Sequence, residues 1–134
     1  MTRSFIKYSF FSFFMIAVIM TSCDKNQDKT FANATINFYL PANNTTFSEG
    51  DTIKIEADIS ADISMHGYKI YLFKPGESEP QLLVDRHTHG TIINVRNTWI
   101  IPSTVGKGKM EIEIIALVDH EGQTVTAKKE VVIQ

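Results

Sequence analysis

The feature that most constrains this chain is a period of two in its hydrophobicity. In residues 110–118, Met110, Ile112, Ile114, Ala116 and Val118 share one parity, while Glu111 and Glu113 hold the other. A helix brings side chains to one face every 3.6 residues and a strand every second one, so only a strand buries this apolar set on a single face. The same alternation recurs from Thr35 to the end of the chain, interrupted by clusters of Gly, Pro, Asn and Asp and by no segment of helical period.

The spacing predicts seven strands, at residues 36–40, 52–59, 66–74, 81–85, 91–101, 110–118 and 124–133. Ile53, Ile55, Ala57 and Ile59 would face inward in the second, against Lys54, Glu56 and Asp58. Tyr68, Ile70 and Leu72 take that role in the third, and Ile93, Val95, Trp99 and Ile101 in the fifth. Tyr71 and Phe73 fall on the outer face, where a partial cover is expected. Turn-forming residues separate these runs, among them Pro41 with Asn43 and Asn44, Pro75 with Gly76, and the hairpin Asp119-His120-Glu121-Gly122. Many short strands at regular spacing favour two antiparallel sheets packed face to face. The run through Pro41, Asn44, Phe47, Gly50 and Asp51 and the Asp119 to Gly122 hairpin resemble those of bacterial immunoglobulin-like modules. The fold expected for residues 35–134 is therefore a seven-stranded antiparallel immunoglobulin-like sandwich.

The N-terminus has a different logic. Arg3 and Lys7 precede an apolar stretch, Phe10 to Met20, which ends in Met20-Thr21-Ser22-Cys23. About 20 mostly apolar residues are needed to span a bilayer, and this stretch falls short of that. A basic start, a short apolar middle and small residues before the break describe a cleaved export signal. These residues resemble a bacterial lipoprotein signal, with Met20 where leucine is usual. The resemblance implies a signal peptide at residues 1–22 and a diacylglycerol thioether on Cys23, the new N-terminus. Residues 23–34, with Asp24, Lys25, Asp28 and Lys29 in mixed charge order, read as a flexible tether. One acyl chain binds membranes only reversibly, so the multiple acylation this resemblance implies matters for retention. Taken whole, the chain resembles the small immunoglobulin-like lipoproteins of Bacteroidota, a likeness that implies an exported, lipid-anchored protein, favours the outer membrane and carries no activity with it.

Charge and cysteine usage narrow the partners. Removing the signal takes away two of the 13 basic side chains and none of the 15 acidic ones, leaving 11 against 15 and a net charge of about −4. A mildly acidic domain without a basic patch argues against nucleic acid as a partner. Cys23 is the single cysteine, so once lipidated it leaves no thiol for a disulfide or a nucleophile.

Four histidines remain as the chemistry-bearing residues: His66, His87, His89 and His120. If the second strand runs upward, the next turn, the turn after the fourth strand and the final hairpin share the upper end, and all four histidines fall there. His87 and His89 project to one side of an extended segment. Neutral imidazoles suit Zn²⁺, Cu²⁺ or Ni²⁺, with Asp62, Asp85, Asp119 and Glu121 near enough in sequence to serve as further ligands or to orient the rings. The alternative is ordinary: polar turns often carry histidine, and loops at one end can hold their side chains well apart.

Other signals point elsewhere. Gly106-Lys107-Gly108-Lys109 lacks the spacing of a phosphate-binding loop. No serine sits in a nucleophile elbow, and no carboxylate pair is brought together by the strand order, so no enzyme is expected. Asp51-Thr52-Ile53 resembles an O-glycosylation site of Bacteroidota envelope proteins, with an ordinary strand start as its alternative. Tyr71, Phe73 and Trp99 form an outer sugar-binding platform only if they are not packed against the sheets. Two functions follow from the sequence. The first is a non-catalytic, membrane-tethered module that binds or supports another envelope protein, and the second is a copper- or zinc-binding lipoprotein using the four histidines.

Overall fold

A computed structural model describes residues 31–134, and in it six strands form one curled mixed sheet. In chain order they are β1 (Ala34–Leu40), β2 (Thr45–Phe47), β3 (Thr52–Phe73), β4 (Gln81–Ile100), β5 (Gly108–Leu117) and β6 (Thr124–Ile133). The leader at 1–22, Cys23 and the tether up to residue 30 lie outside the described residues.

Two long strands make the frame. The first part of β3 pairs antiparallel with β1 on one side and with the second part of β4 on the other. Beyond a corner, its second part pairs with the first part of β4 and with β5. β5 continues antiparallel to β6, and β6 pairs in parallel with β2.

Alternation decides what the curl encloses. Ile53, Ile55, Ala57 and Ile59 from the first part of β3 are fully buried, as are Ile70 and Leu72 from the second and Met110, Ile112, Ile114 and Ala116 from β5. Burying one such aliphatic side chain contributes about 1.5–3 kcal/mol, and these residues form a single cluster with Val95, Trp99, Val131 and Ile133. No polar or charged residue is buried among those described. On the outer face Phe73 is exposed and Tyr71 half-buried, and the Lys128 ammonium lies 5.3 Å from the Phe73 ring centre. Trp99 faces the core instead, so the three aromatics do not share a platform.

Two expectations about strands need correction. Six strands are present rather than seven: the expected second and third strands are one continuous β3 and the fourth and fifth one continuous β4, which leaves five, and the unexpected β2 makes the sixth. Residues 60–64 contain neither Gly nor Pro, so the backbone stays extended and bends through register shifts between Ser60 and Gly67. The strands also form one curled, mixed sheet rather than two purely antiparallel sheets packed face to face, because β3 and β4 run unbroken through the corner and β2 pairs in parallel with β6. After β1, the turn at Pro41 to Asn44 carries the chain to the far edge, where the Asn44 amide donates to the Glu130 carbonyl, and the Asn43 side-chain oxygen accepts from the Glu130 amide. β2 forms there, in a stretch that the turn residues alone mark as loop.

Candidate functional site

The corner of β3 positions the site. Gly67 has φ of 135°, and its close approach to β4 leaves no room for a side chain: a Cβ there would overlap the Arg86 carbonyl oxygen. Gly67 faces His87 of β4 on one side and Leu117 of β5 on the other, so His66, just before it, lies beside both strands. His87 and His89 sit inside β4 rather than in a turn, two residues apart and therefore on one side of it. His120 comes from the β5–β6 hairpin. There the Asp119 carboxylate accepts from the Glu121 and Gln123 amides, at 2.9 and 2.7 Å, and fixes the shape of the turn.

These three elements bring all four imidazoles into one group. Ring centres lie 3.6 Å apart for His66 and His120, 5.0 Å for His66 and His89, 4.6 Å for His87 and His89, and 6.4 Å for His66 and His87. His66 is half-buried, whereas His87, His89 and His120 are exposed. Nδ1 of His66 is buried without a hydrogen-bond partner, an expense most folded proteins avoid. Burial lowers the pKa of His66 below its ordinary value, and the nearby His120, His89 and His87 push it the same way against the opposing pull of Asp119. His66 is therefore poised to present neutral imidazole, the form that binds metal. As the rings stand, no group of three or more His, Asp, Glu or Cys among the described residues is arranged to hold a metal ion.

Three of the four acidic residues near the histidines in sequence, Asp62, Asp85 and Asp119, have other structural duties. Asp85 pairs with Lys69 at 3.1 Å, and Asp62 accepts from the Asn33 amide and side chain. Asp119 serves the hairpin. A polar clamp ties the chain's entry to this end: Gln123 accepts from the Ala32 amide at 3.0 Å and donates to its carbonyl at 2.7 Å. Residues 32 and 33 are thus held by the hairpin that carries His120 and by the β3 corner that carries His66. A lone glutamine after a turn carries no sequence signal of such a clamp.

A second polar group occupies the outer face of β1, β3 and β4. Asp58 accepts from Tyr39 Oη at 2.8 Å, Asn94 Nδ2 at 2.8 Å and Arg96 Nη2 at 3.2 Å. The Asn94 and Tyr39 hydrogen bonds lower the Asp58 pKa, and Arg96 adds to them.

No family model matches the sequence, and no curated protein matches it. Among solved structures, an engineered protein superposes with TM-score 0.51 at 12% identity over 76% of this chain, which spans 20% of that protein's length. The fibronectin(III)-like modules of Clostridium thermocellum CbhA give 0.45 at 13% identity, covering 74% of this chain and 94% of theirs. A Niemann-Pick type C2 protein from the Japanese carpenter ant gives 0.49 at 9%, covering 76% and 89%. At such identities the likeness concerns fold alone, and the fold of the described residues is all-β.

Proposed function

We propose that this chain is a non-catalytic, immunoglobulin-like module of the bacterial cell envelope, lipid-anchored through Cys23, that binds a transition-metal ion at the cluster of His66, His87, His89 and His120. The observation that carries the metal reading is the meeting of four imidazoles from three separate elements, one with a buried and unpartnered nitrogen. Nothing in the packing of the core requires them together. Imidazole nitrogen favours Zn²⁺, Cu²⁺ and Ni²⁺, and a rotation of three exposed rings is a small cost against the bonds gained. The clamp on Ala32 supports an orientation in which the histidine end faces the anchor.

Titration of the purified protein with Zn²⁺ or Cu²⁺ tests this. One equivalent bound with sub-micromolar affinity, and lost in the double variant His87→Ala/His89→Ala, is the expected result. Weak, non-stoichiometric uptake that survives those changes rejects it. Radiolabelled palmitate incorporation, abolished by Cys23→Ser, tests the anchor separately. A second reading keeps the module without the metal. Among the described residues β4 pairs with β3 alone, so its other edge is open along the strand, and Ile92 and Ile100 stand 68% and 65% exposed beside it. An open edge of this kind accepts an added strand from a partner.

A further inference from the structure

As they stand the rings are not arranged to hold a metal ion, but the spacing of their centres carries information of its own. Three of the centres, those of His66, His87 and His89, form a triangle with sides of 5.0, 4.6 and 6.4 Å. By the cosine rule the corner at His89 is about 83°, and a point about 3.2 Å away is equidistant from all three centres. A metal–nitrogen bond of about 2.0 Å plus about 1.2 Å from nitrogen to ring centre gives the same 3.2 Å.

The shape discriminates between metals. Around a tetrahedral ion every pair of ring centres is separated by about 5.2 Å, whereas in a planar arrangement adjacent rings lie about 4.5 Å apart and opposed rings about 6.4 Å. The observed set has two short sides and one long one, and the long side joins His66 to His87, whose rings lie 23° from parallel. Planar and tetragonal nitrogen sites belong to Cu²⁺ and Ni²⁺, tetrahedral ones to Zn²⁺. His120 does not fit as an additional in-plane ligand where it stands. Its ring centre is 3.6 Å from that of His66, closer than two rings on one metal allow, and it packs against the ring whose Nδ1 is buried. What the present rings lack is aim rather than position. Turning an imidazole about χ2, a soft torsion, redirects its nitrogens while leaving the ring centre nearly in place.

We infer that the histidine end is a copper(II) site of T-shaped geometry, with His66 and His87 opposed across the metal, His89 as the stem and His120 as a covering ring outside the coordination plane. The inference rests on the metal-binding reading above. The test uses the full chain purified in detergent with Cys23→Ser, which removes its single thiol. With one equivalent of Cu²⁺, electron paramagnetic resonance should give an axial spectrum with splitting from three nitrogens. His89→Ala should reduce that count to two and weaken binding at least about a hundredfold, while His120→Ala keeps three nitrogens and changes affinity less than about tenfold. Stoichiometric Zn²⁺ binding that competes evenly with Cu²⁺, together with the intense visible bands of tetrahedral Co²⁺, would sink the T-shaped site and leave metal binding standing. Loss of the Cu²⁺ signal in His120→Ala also overturns the assignment. Absence of one-to-one binding by any of these ions removes both this inference and the reading beneath it.

Discussion

Two polar clusters, one on the outer face around Asp58 and one at the end around His66, show how differently a small β protein uses its polar side chains. Around Asp58 charges and hydrogen bonds are complementary: a carboxylate receives donors from Tyr39, Asn94 and Arg96 and joins β1, β3 and β4. Around His66 they are not. Four groups of the same kind crowd together, and one nitrogen is buried unpaired. The first arrangement is complete within the protein, and the second, in the function proposed above, is completed by a bound metal ion. Stability should therefore depend on the first and ligand affinity on the second.

The most damaging single change should be Gly67→Ala, because a Cβ overlaps the Arg86 carbonyl and the φ of 135° disfavours any L side chain. A loss of about 3 kcal/mol or more in denaturant unfolding is expected, with metal binding lost alongside stability. An unfolding midpoint unchanged by this substitution would show that the corner does not constrain the end of the molecule as described. Truncating a core residue, as in Ile112→Ala, should cost about 2–5 kcal/mol yet leave metal affinity intact at temperatures where the fold persists.

Next in size is the contrast itself. His87→Ala/His89→Ala should abolish metal uptake while moving stability by less than about 0.5 kcal/mol, since both side chains are exposed. Asp58→Ala should do the reverse, lowering the unfolding midpoint and leaving metal titrations unchanged. If both variants impair both properties, the two clusters are not separable in the way their hydrogen bonding indicates.

The smallest expected effect is on pH dependence. His66 has a lowered pKa in the folded protein, so as pH falls through its ordinary value the unfolded chain takes up the proton first. This contribution to stability is intact above about pH 6.5, declines as pH drops below it and levels off once the folded value is passed. Urea midpoints measured from pH 8 to pH 5 should fall in that direction, and His66→Leu, which also removes the unpaired nitrogen, should flatten the curve and raise rather than lower the midpoint at pH 5. A steeper decline in that variant would assign the titration to other groups.

Much of this was legible in the sequence, and the parts that were not have a common cause. The inward sets on β3, β4 and β5 follow from parity, which is a property of each short segment and needs no partner. Tyr68, Ile70 and Leu72 are buried because every second residue of an extended chain faces the same way. Strand continuity is different. Whether residues 60–64 turn or bend depends on hydrogen bonds to β1, β4 and the segment around Asn33, and these lie far away in sequence. β2 likewise exists because residues near Asn43 find β6 across the sheet.

The sequence by itself determined an all-β chain, the face each strand buries and the four histidines as its candidate ligands, since composition and period two are local facts. Only the tertiary structure decided the ring separations, the unpartnered nitrogen of His66 and the clamp of Gln123 on Ala32. Those depend on register shifts at a corner, where moving one residue along the ladder sends a side chain to the opposite face, and that choice is settled by the summed packing of several strands rather than by any one segment.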